Sequence, residues 1–297
     1  MMRYALEFAH SPRKKTTGIV FFLVALIVVG ISACVGSTPD AARNTQNPGD
    51  WRLIWSDEFD APDGSVVDPA KWTMETGGWG WGNNELETYT NRLQNVHQAN
   101  GSLVITVEQE KHRGLDNIER EYTSARLNTK DKFSLQYGRF EARLKLPYGP
   151  GLWPAFWLLG SDVDKAKWPH CGEIDIMENV GKEPEIIHCA IHGPGYSGAN
   201  GPSALYNLAN GQRFADDYHT FTVEWDTAGM RFYCDGHLYK TMTPSGVASQ
   251  KWVFDHPFFI ILNVAVGGNW PGRPDKTTIF PQQMLVDYVR VYQRSTN

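Results

Sequence analysis

An all-β sandwich is the fold class that the sequence predicts, on three observations. Short segments with alternating polar and apolar residues recur along most of the chain, and Gly, Pro, Asn and Asp punctuate them. No amphipathic pattern runs longer than about three helical turns. Asp235-Gly236, between Arg231-Phe-Tyr-Cys and His237-Leu-Tyr, is a two-residue hairpin signal. There is no internal repeat and no sign of a second domain. The stretch from Trp51 onward suffices for a single large core that buries roughly three quarters of the unfolded chain's surface.

The chain has 297 residues, is 41% hydrophobic and 21% charged, and carries a net charge of −5, so it offers no polybasic surface and no nucleic-acid partner is expected. Its 11 tryptophans exceed what a core of this kind requires. Surplus rings offer apolar faces to a ligand, although interior packing is the default for any one of them.

Taken in order, the chain opens with Arg13, Lys14 and Lys15 ahead of an apolar run at 18–33. About 15 apolar residues after a basic start read as a secretory signal, since a full membrane span wants about 20. The run ends in Ile31-Ser-Ala-Cys34, which resembles the lipobox of bacterial lipoproteins. That resemblance implies a signal at 1–33, removed so that Cys34 becomes the lipidated first residue. An uncleaved membrane anchor is the other reading, and both export the domain and tether it to the cell envelope. Val35 and Gly36 lack the aspartate that retains such proteins in the inner membrane, so an outer-membrane or surface position is expected. Residues 34–50, rich in Ser, Thr, Asn, Pro and Gly, form the expected tether, and the folded domain spans 51–297. With Cys34 committed, Cys171, Cys189 and Cys234 remain; one pair among them is open, and buried thiols are the simpler reading.

Strands are expected at 102–108, 138–146, 186–192, 220–226, 230–234, 258–266 and 284–293. The segment at 153–160, Trp153-Pro-Ala-Phe-Trp-Leu-Leu-Gly, places Trp153, Ala155 and Trp157 on one face. The stretch from Cys171, Cys-Gly-Glu-Ile-Asp-Ile-Met-Glu-Asn-Val-Gly, alternates acids with apolar residues. Glu173 and Asp175 share a face, but the five-residue interval from Glu173 to Glu178 would turn Glu178 into the core, where an unpaired carboxylate is costly. A β-bulge near Met177 absorbs one residue and returns Glu178 to the acidic face. The two glutamates then stand four strand steps apart, about 13 Å between Cα atoms, and long side chains leaning together on a concave sheet narrow the gap between their carboxyls toward the roughly 5 to 5.5 Å that a retaining glycosidase needs.

This acidic run, with its extra methionine, resembles the catalytic strand of glycoside hydrolase family 16, closest to the laminarinase (endo-β-1,3-glucanase) branch, and the resemblance covers nearly all of 51–293. It implies a β-jelly roll, concanavalin A-like, with an open concave substrate cleft. It also implies retaining hydrolysis with Glu173 as nucleophile, Glu178 as acid and base, and Asp175 between them. Mixed-linkage glucan, a galactan, and a jelly roll that binds β-glucan without cutting it are the competing readings.

The remaining motifs match the family's sugar contacts position by position. Trp153 and Trp157 line the expected cleft floor, and Trp168, in a loop-like Lys-Trp-Pro-His segment, matches a tryptophan that stacks on a glucose ring. In Trp79-Gly-Trp-Gly-Asn-Asn-Glu, Asn83 and Asn84 are the candidates for a sugar-contacting asparagine, with Asn84 preferred. Arg126 matches an arginine that reaches into the cleft, the alternative being a structural ion pair. His192, which shares a face with His188 and Ala190, matches the histidine near the nucleophile. Glu224 and Asn263 are further matches, and Gly267-Gly-Asn-Trp-Pro-Gly looks laminarinase-like. No cofactor is implied for catalysis. A structural Ca²⁺ is implied where the first and last strands meet, on Asp287 with backbone oxygens of Glu58 and Gly101; a plain solvated or paired Asp287 is the alternative. The implied partner is a β-glucan, with membrane contact only through the lipidated N-terminus, and a monomer is expected.

Overall fold

The alternating segments form two sheets that enclose one core. The computed structural model describes residues 51–247 and 249–295, so the signal, Cys34 and the tether lie outside the described residues. In chain order the strands are β1 (Trp51–Asp57), β2 (Thr73–Glu75), β3 (Glu87–Tyr89), β4 (Val96–Ala99), β5 (Ser102–Arg113), β6 (Glu119–Ser124), β7 (Arg126–Asn128), β8 (Gly138–Lys145) and β9 (Leu152–Gly160). A single helical turn, α1 (Val163–Ala166), precedes β10 (Glu173–Asn179), β11 (Ile186–His192), β12 (Ser203–Asn207), β13 (His219–Asp226), β14 (Gly229–Cys234), β15 (His237–Met242), β16 (Phe258–Val266) and β17 (Gln282–Arg294). Every strand expected from the alternation is present, two of them, β11 and β16, with the bounds read from the sequence.

One sheet has ten strands in the order β15-β14-β13-β8-β17-β5-β6-β3, with β1 also on β17 and β4 on β5; the other has seven, β12-β11-β10-β9-β16-β7-β2. Together they make the jelly-roll sandwich. Only β3 and β6 pair in parallel among the described strands. The β14–β15 turn confirms the hairpin reading: Asp235 and Gly236 both have positive φ, 49° and 76°, as a type I′ turn requires.

Period-2 alternation decides what fills the core. Phe140, Ala142 and Leu144 of β8 and Phe221, Val223 and Trp225 of β13 face inward from the larger sheet. Phe156 and Leu158 of β9, Ile174 of β10, Ile187, Cys189 and Ile191 of β11, and Ile260, Leu262 and Val264 of β16 meet them from the smaller one. Each such side chain contributes about 1.5–3 kcal/mol on burial. β16 is buried along its whole length, including Ile261 and Asn263 on its outer face, because other groups cover it on that side. Cys171, Cys189 and Cys234 are free and buried, as the simpler reading held.

Gly160 fixes where the acidic strand begins. It ends β9 opposite Phe258, and its N–H donates to the Gly172 carbonyl at 3.1 Å. A Cβ there would fall 1.8 Å from the Cys171 carbonyl oxygen, so no side chain fits without moving the residues that lead into Glu173. Gly160→Ala is therefore expected to cost about 1–3 kcal/mol, read as a lower urea midpoint at unchanged m-value. An unchanged midpoint would show that this approach is looser than the packing implies.

Candidate active site

The acidic strand departs from regular pairing where the sequence requires it. Asp175 faces Ala190 on β11 and Trp157 on β9, whereas Glu178 faces His188 and Ala155, so three residues of β10 are spanned by two on each neighbour. Ile176 and Met177 are both buried in the core, which accounts for the extra residue and returns Glu178 to the face of Glu173 and Asp175. An uninterrupted ladder would have buried a carboxylate and exposed a core residue.

Cross-strand pairing then lays the site out in rows over the outer face of the seven-stranded sheet. One row runs His188, Glu178, Ala155, Asn263, Arg126, Glu75. The next holds Ala190, Asp175, Trp157 and Ile261, and the third His192, Glu173, Leu159 and Phe259. Asp175 thus lies between the two glutamates.

Each acid has its own surroundings. The Trp153 indole N–H donates to Glu178 Oε1 at 2.9 Å, leaving the other oxygen uncommitted to Trp153. Trp153 and His188 both meet Trp270 edge to face, at 5.4 and 5.0 Å between ring centroids. Burial lowers the His188 pKa, which favours a neutral ring opposite Glu178. His192 Nε2 lies 3.0 Å from Asp175 Oδ2 and 3.7 Å from Glu173 Oε1. The shorter distance lacks hydrogen-bond alignment, since Asp175 Oδ2 is buried without a hydrogen-bond partner. Trp168, 49% exposed, stands at the rim with its ring centroid 6.4 Å from that of His192.

The other candidates form the floor and one wall. Trp157 donates to Asn263 Oδ1 at 2.8 Å, and the Asn263 amide donates to the Tyr89 hydroxyl at 3.1 Å. Tyr89 in turn donates to Glu85 at 3.3 Å. The Arg126 guanidinium lies between the Trp81 and Trp157 rings, at 4.9 and 4.8 Å, and donates to Glu75. It is both in the row of Glu178 and ion-paired, which joins the two sequence readings. Asn84, exposed with φ 58°, donates to Asn269 at 2.8 Å and ties the 79–89 loop to the 267–272 loop. Sequence reasoning did not nominate His188, Trp270, Tyr89, Glu85, Glu87 or Glu75. His188 could have been found from the parity it shares with His192, and Glu85, Glu87, Tyr89 and Trp270 from their places inside the matched 79–89 and 267–272 motifs, whereas Glu75 arrives from a distant strand with no such signal.

One expectation is corrected. Glu224 is on β13, in the ten-stranded sheet, pointing away from the core between Val223 and Trp225. There it pairs with Arg139 at 3.4 Å and Arg231 at 3.3 Å and accepts from Tyr233 at 3.1 Å, so it is no part of the cleft. At the expected calcium seam, Asp287 pairs with Arg143 at 2.9 Å and Glu58 with Arg290 at 2.8 Å. Gly101 occupies the β4–β5 turn with φ 71°. Asp287 thus has the paired surroundings read as the alternative to Ca²⁺, while the Glu58–Arg290 pair engages the Glu58 side chain and not the backbone oxygen expected to face the ion. Among the described residues, Glu173, Asp175 and His192 are the group whose side chains bring three metal-ligating atoms within 4.8 Å of one another.

Comparison with known proteins places this geometry in a context. The model of glycosyl hydrolases family 16 matches residues 83–290. A β-glucanase of Rhodothermus marinus is 39% identical over 272 residues, covering 89% of this chain and 92% of that one. Glucan endo-1,3-β-glucosidase A1 of Niallia circulans is 40% identical over 282 residues, 87% of this chain but 39% of that longer enzyme. Among solved structures, the laminarinase catalytic domain of Thermotoga maritima is 47% identical with a TM-score of 0.79, covering 84% of this chain and all of that one (100%).

Burial raises the pKa of all three acids. Glu173 is pushed up to about 8 by burial and by the neighbouring Asp175, with His192 opposing. Asp175 is pushed up to about 8 by burial. Glu178 is pushed up to about 8 by burial and by Asp175, with the Trp153 hydrogen bond opposing. The acids therefore hold protons in the folded chain at pH values where the unfolded chain has released them. Below about pH 3 the two states bind alike; as pH rises toward 8 the unfolded state binds fewer protons and folded stability falls. Asp175→Asn removes one of the three charges. It is expected to raise Tm at pH 8 by about 2–4 °C, corresponding to about 1 kcal/mol, and to leave Tm nearly unchanged at about pH 3. An equal shift at both pH values would mean that charge burial is not its cause.

Proposed function

This chain belongs to glycosyl hydrolases family 16, and from that membership we propose that it cuts internal β-1,3-glucosidic bonds of laminarin-type β-glucans with retention of configuration. The observation that carries the reading is the bulge in β10, which sets Glu173 and Glu178 on one face with Asp175 between them. The named activities of the Rhodothermus β-glucanase and the Thermotoga laminarinase support the choice of polymer.

In the first step a Glu173 oxygen attacks the anomeric carbon, the bond to the departing sugar oxygen breaks, and that oxygen takes the Glu178 proton. Glu178 suits the acid role because burial and the Asp175 charge keep it protonated near neutrality. Its Trp153 contact engages one oxygen, so the other is available to donate. Glu173 suits the nucleophile role by position, directly across the β10–β11 ladder from His192 with Asp175 two residues along the strand, and it must release its proton before it attacks. Once Glu173 is an ester, its charge no longer opposes ionisation of Glu178, which then takes a proton from water as the water oxygen attacks and expels the Glu173 carboxylate. Asp175 orients the nucleophile and tunes both glutamates.

Sugar rings present C–H faces, and the half-exposed Trp168 offers an indole face at the rim next to His192. Trp153 and Trp157 form the floor, Asn263 and Arg126 hold it in place, and Asn84 with Asn269 closes one wall.

Two experiments test the reading. Reducing-sugar release is expected from laminarin, less from lichenan and none from agarose; a preference for agarose would move the chain to galactans, and no release from any would leave a binding protein. Glu173→Ala is expected to abolish turnover, and added azide to restore cleavage as a glycosyl azide of inverted configuration. Full activity without azide would remove Glu173 from the nucleophile role.

The domain acts as a monomer outside the cytoplasm, tethered through a lipid on Cys34. The basic start, the short apolar run and Ile31-Ser-Ala-Cys34 support the export and the lipid tether. In a bacterial host, labelled palmitate is expected to enter the full chain, and Cys34→Ala to abolish labelling. Equal labelling of the variant would place the anchor elsewhere.

A further inference from the structure

We propose that the floor of this cleft is also a binding site for one divalent cation of the zinc type, held by Glu173, Asp175 and His192, and that its occupancy blocks the nucleophile. The cation is not part of the glucan chemistry, and nothing in the hydrolytic steps needs it.

The geometry suits such an ion. Zinc bonds of about 2.0–2.2 Å in tetrahedral arrangement place neighbouring ligand atoms about 3.3–3.5 Å apart. Here His192 Nε2 is 3.0 Å from Asp175 Oδ2 and 3.7 Å from Glu173 Oε1, and all three ligand atoms fall within 4.8 Å. Small side-chain rotations bring them onto a common centre. The frame is rigid as well: Glu173 and His192 are directly opposed across the β10–β11 ladder, and Asp175 is two residues along the same strand.

A second observation points into the same spot. Asp175 is 3% exposed, and its Oδ2 is buried without a hydrogen-bond partner although an imidazole nitrogen stands 3.0 Å away. A buried acceptor with no aligned donor is costly, and a bound cation satisfies it. For His192 Nε2 to ligate, the ring proton must sit on Nδ1, which is itself buried without a hydrogen-bond partner. Gly201 leaves the room on that side, where a Cβ would lie 2.5 Å from Nδ1. With no outer partner to orient the ring, the site falls short of a structural zinc centre in affinity.

The donor set also selects the metal. One imidazole and two carboxylates suit zinc and its neighbours, whereas Mg²⁺ demands six near-octahedral oxygens and keeps its waters. The ion would engage the Glu173 carboxylate, which must be free to attack, while Glu178 sits two rows away and takes no part.

Calorimetric titration of the EDTA-treated full chain with ZnCl2 tests the proposal. One site is expected, with no response to MgCl2. Affinity is expected to fall roughly tenfold or more in Glu173→Gln, Asp175→Asn and His192→Gln alike, and to be unchanged in His237→Gln, which alters an exposed histidine. Thermal unfolding of each variant without metal identifies those that remain folded, and zinc is expected to raise Tm of the natural chain but not of the folded variants. Absence of zinc binding, or wild-type affinity in folded His192→Gln and Asp175→Asn, would overturn the site. In laminarin cleavage zinc is expected to raise KM at constant kcat, reversibly with EDTA. A chain that binds zinc at these residues but cuts no glucan would defeat the functional reading alone.

Discussion

One extra residue in β10 is the constraint on which the site depends. Strand geometry sends successive side chains to opposite faces, so Glu173 and Glu178, five apart, cannot share a face on a regular ladder. The chain resolves this by giving Ile176 and Met177 to the core in succession. The disrupted pairing is offset by burial of both side chains, and the return is a third carboxylate on the outer face. Hydrophobic packing and catalytic placement are here one event: the same two apolar residues that seat β10 in the sandwich orient Glu178.

The rest of the seven-stranded sheet makes that placement usable. Three carboxyl groups on a buried strand face repel one another, and burial discourages each from ionising. Proton sharing follows, and it is what a double displacement needs, one group protonated while another attacks. Ala155, small and opposite Glu178, leaves room for the acid, and the neighbouring strands supply Trp153 and His192 as specific contacts. Behind this row, the chain of hydrogen bonds from Trp157 through Asn263 and Tyr89 to Glu85 couples the floor to the loop that carries Asn84. Glu87, wholly buried beside Glu85 with its pKa raised by burial, accepts from the Val266 N–H at 2.7 Å and anchors that loop to β16.

Much of this was legible in the sequence because it follows from parity. Period two gave the sandwich, the common face of Trp153 and Trp157, the position of His192 and the need for a bulge near Met177. Parity says which face a residue takes but not which sheet its strand joins. Glu224, matched to a family sugar contact, carries no local sign of its sheet, and it is found among Arg139, Arg231 and Tyr233 on the opposite one. Long-range pairings were equally hidden: nothing local to Asp287 announces Arg143, and nothing local to Trp270 places it against His188. Arg126 was half legible, since its reach toward the cleft and its ion pair with Glu75 were read as alternatives and both are present.

The central claim is that the bulge brings two glutamates to one face for a double displacement, which requires roughly 5 to 5.5 Å between carboxyls, and not for a direct water attack, which requires roughly 6.5–9.5 Å. Proton NMR of a laminarin digest in its first minutes, before mutarotation, reads that separation as stereochemistry. The β-anomer of the new reducing end is expected to appear first and the α-anomer to grow in later. First appearance of the α-anomer would contradict the account.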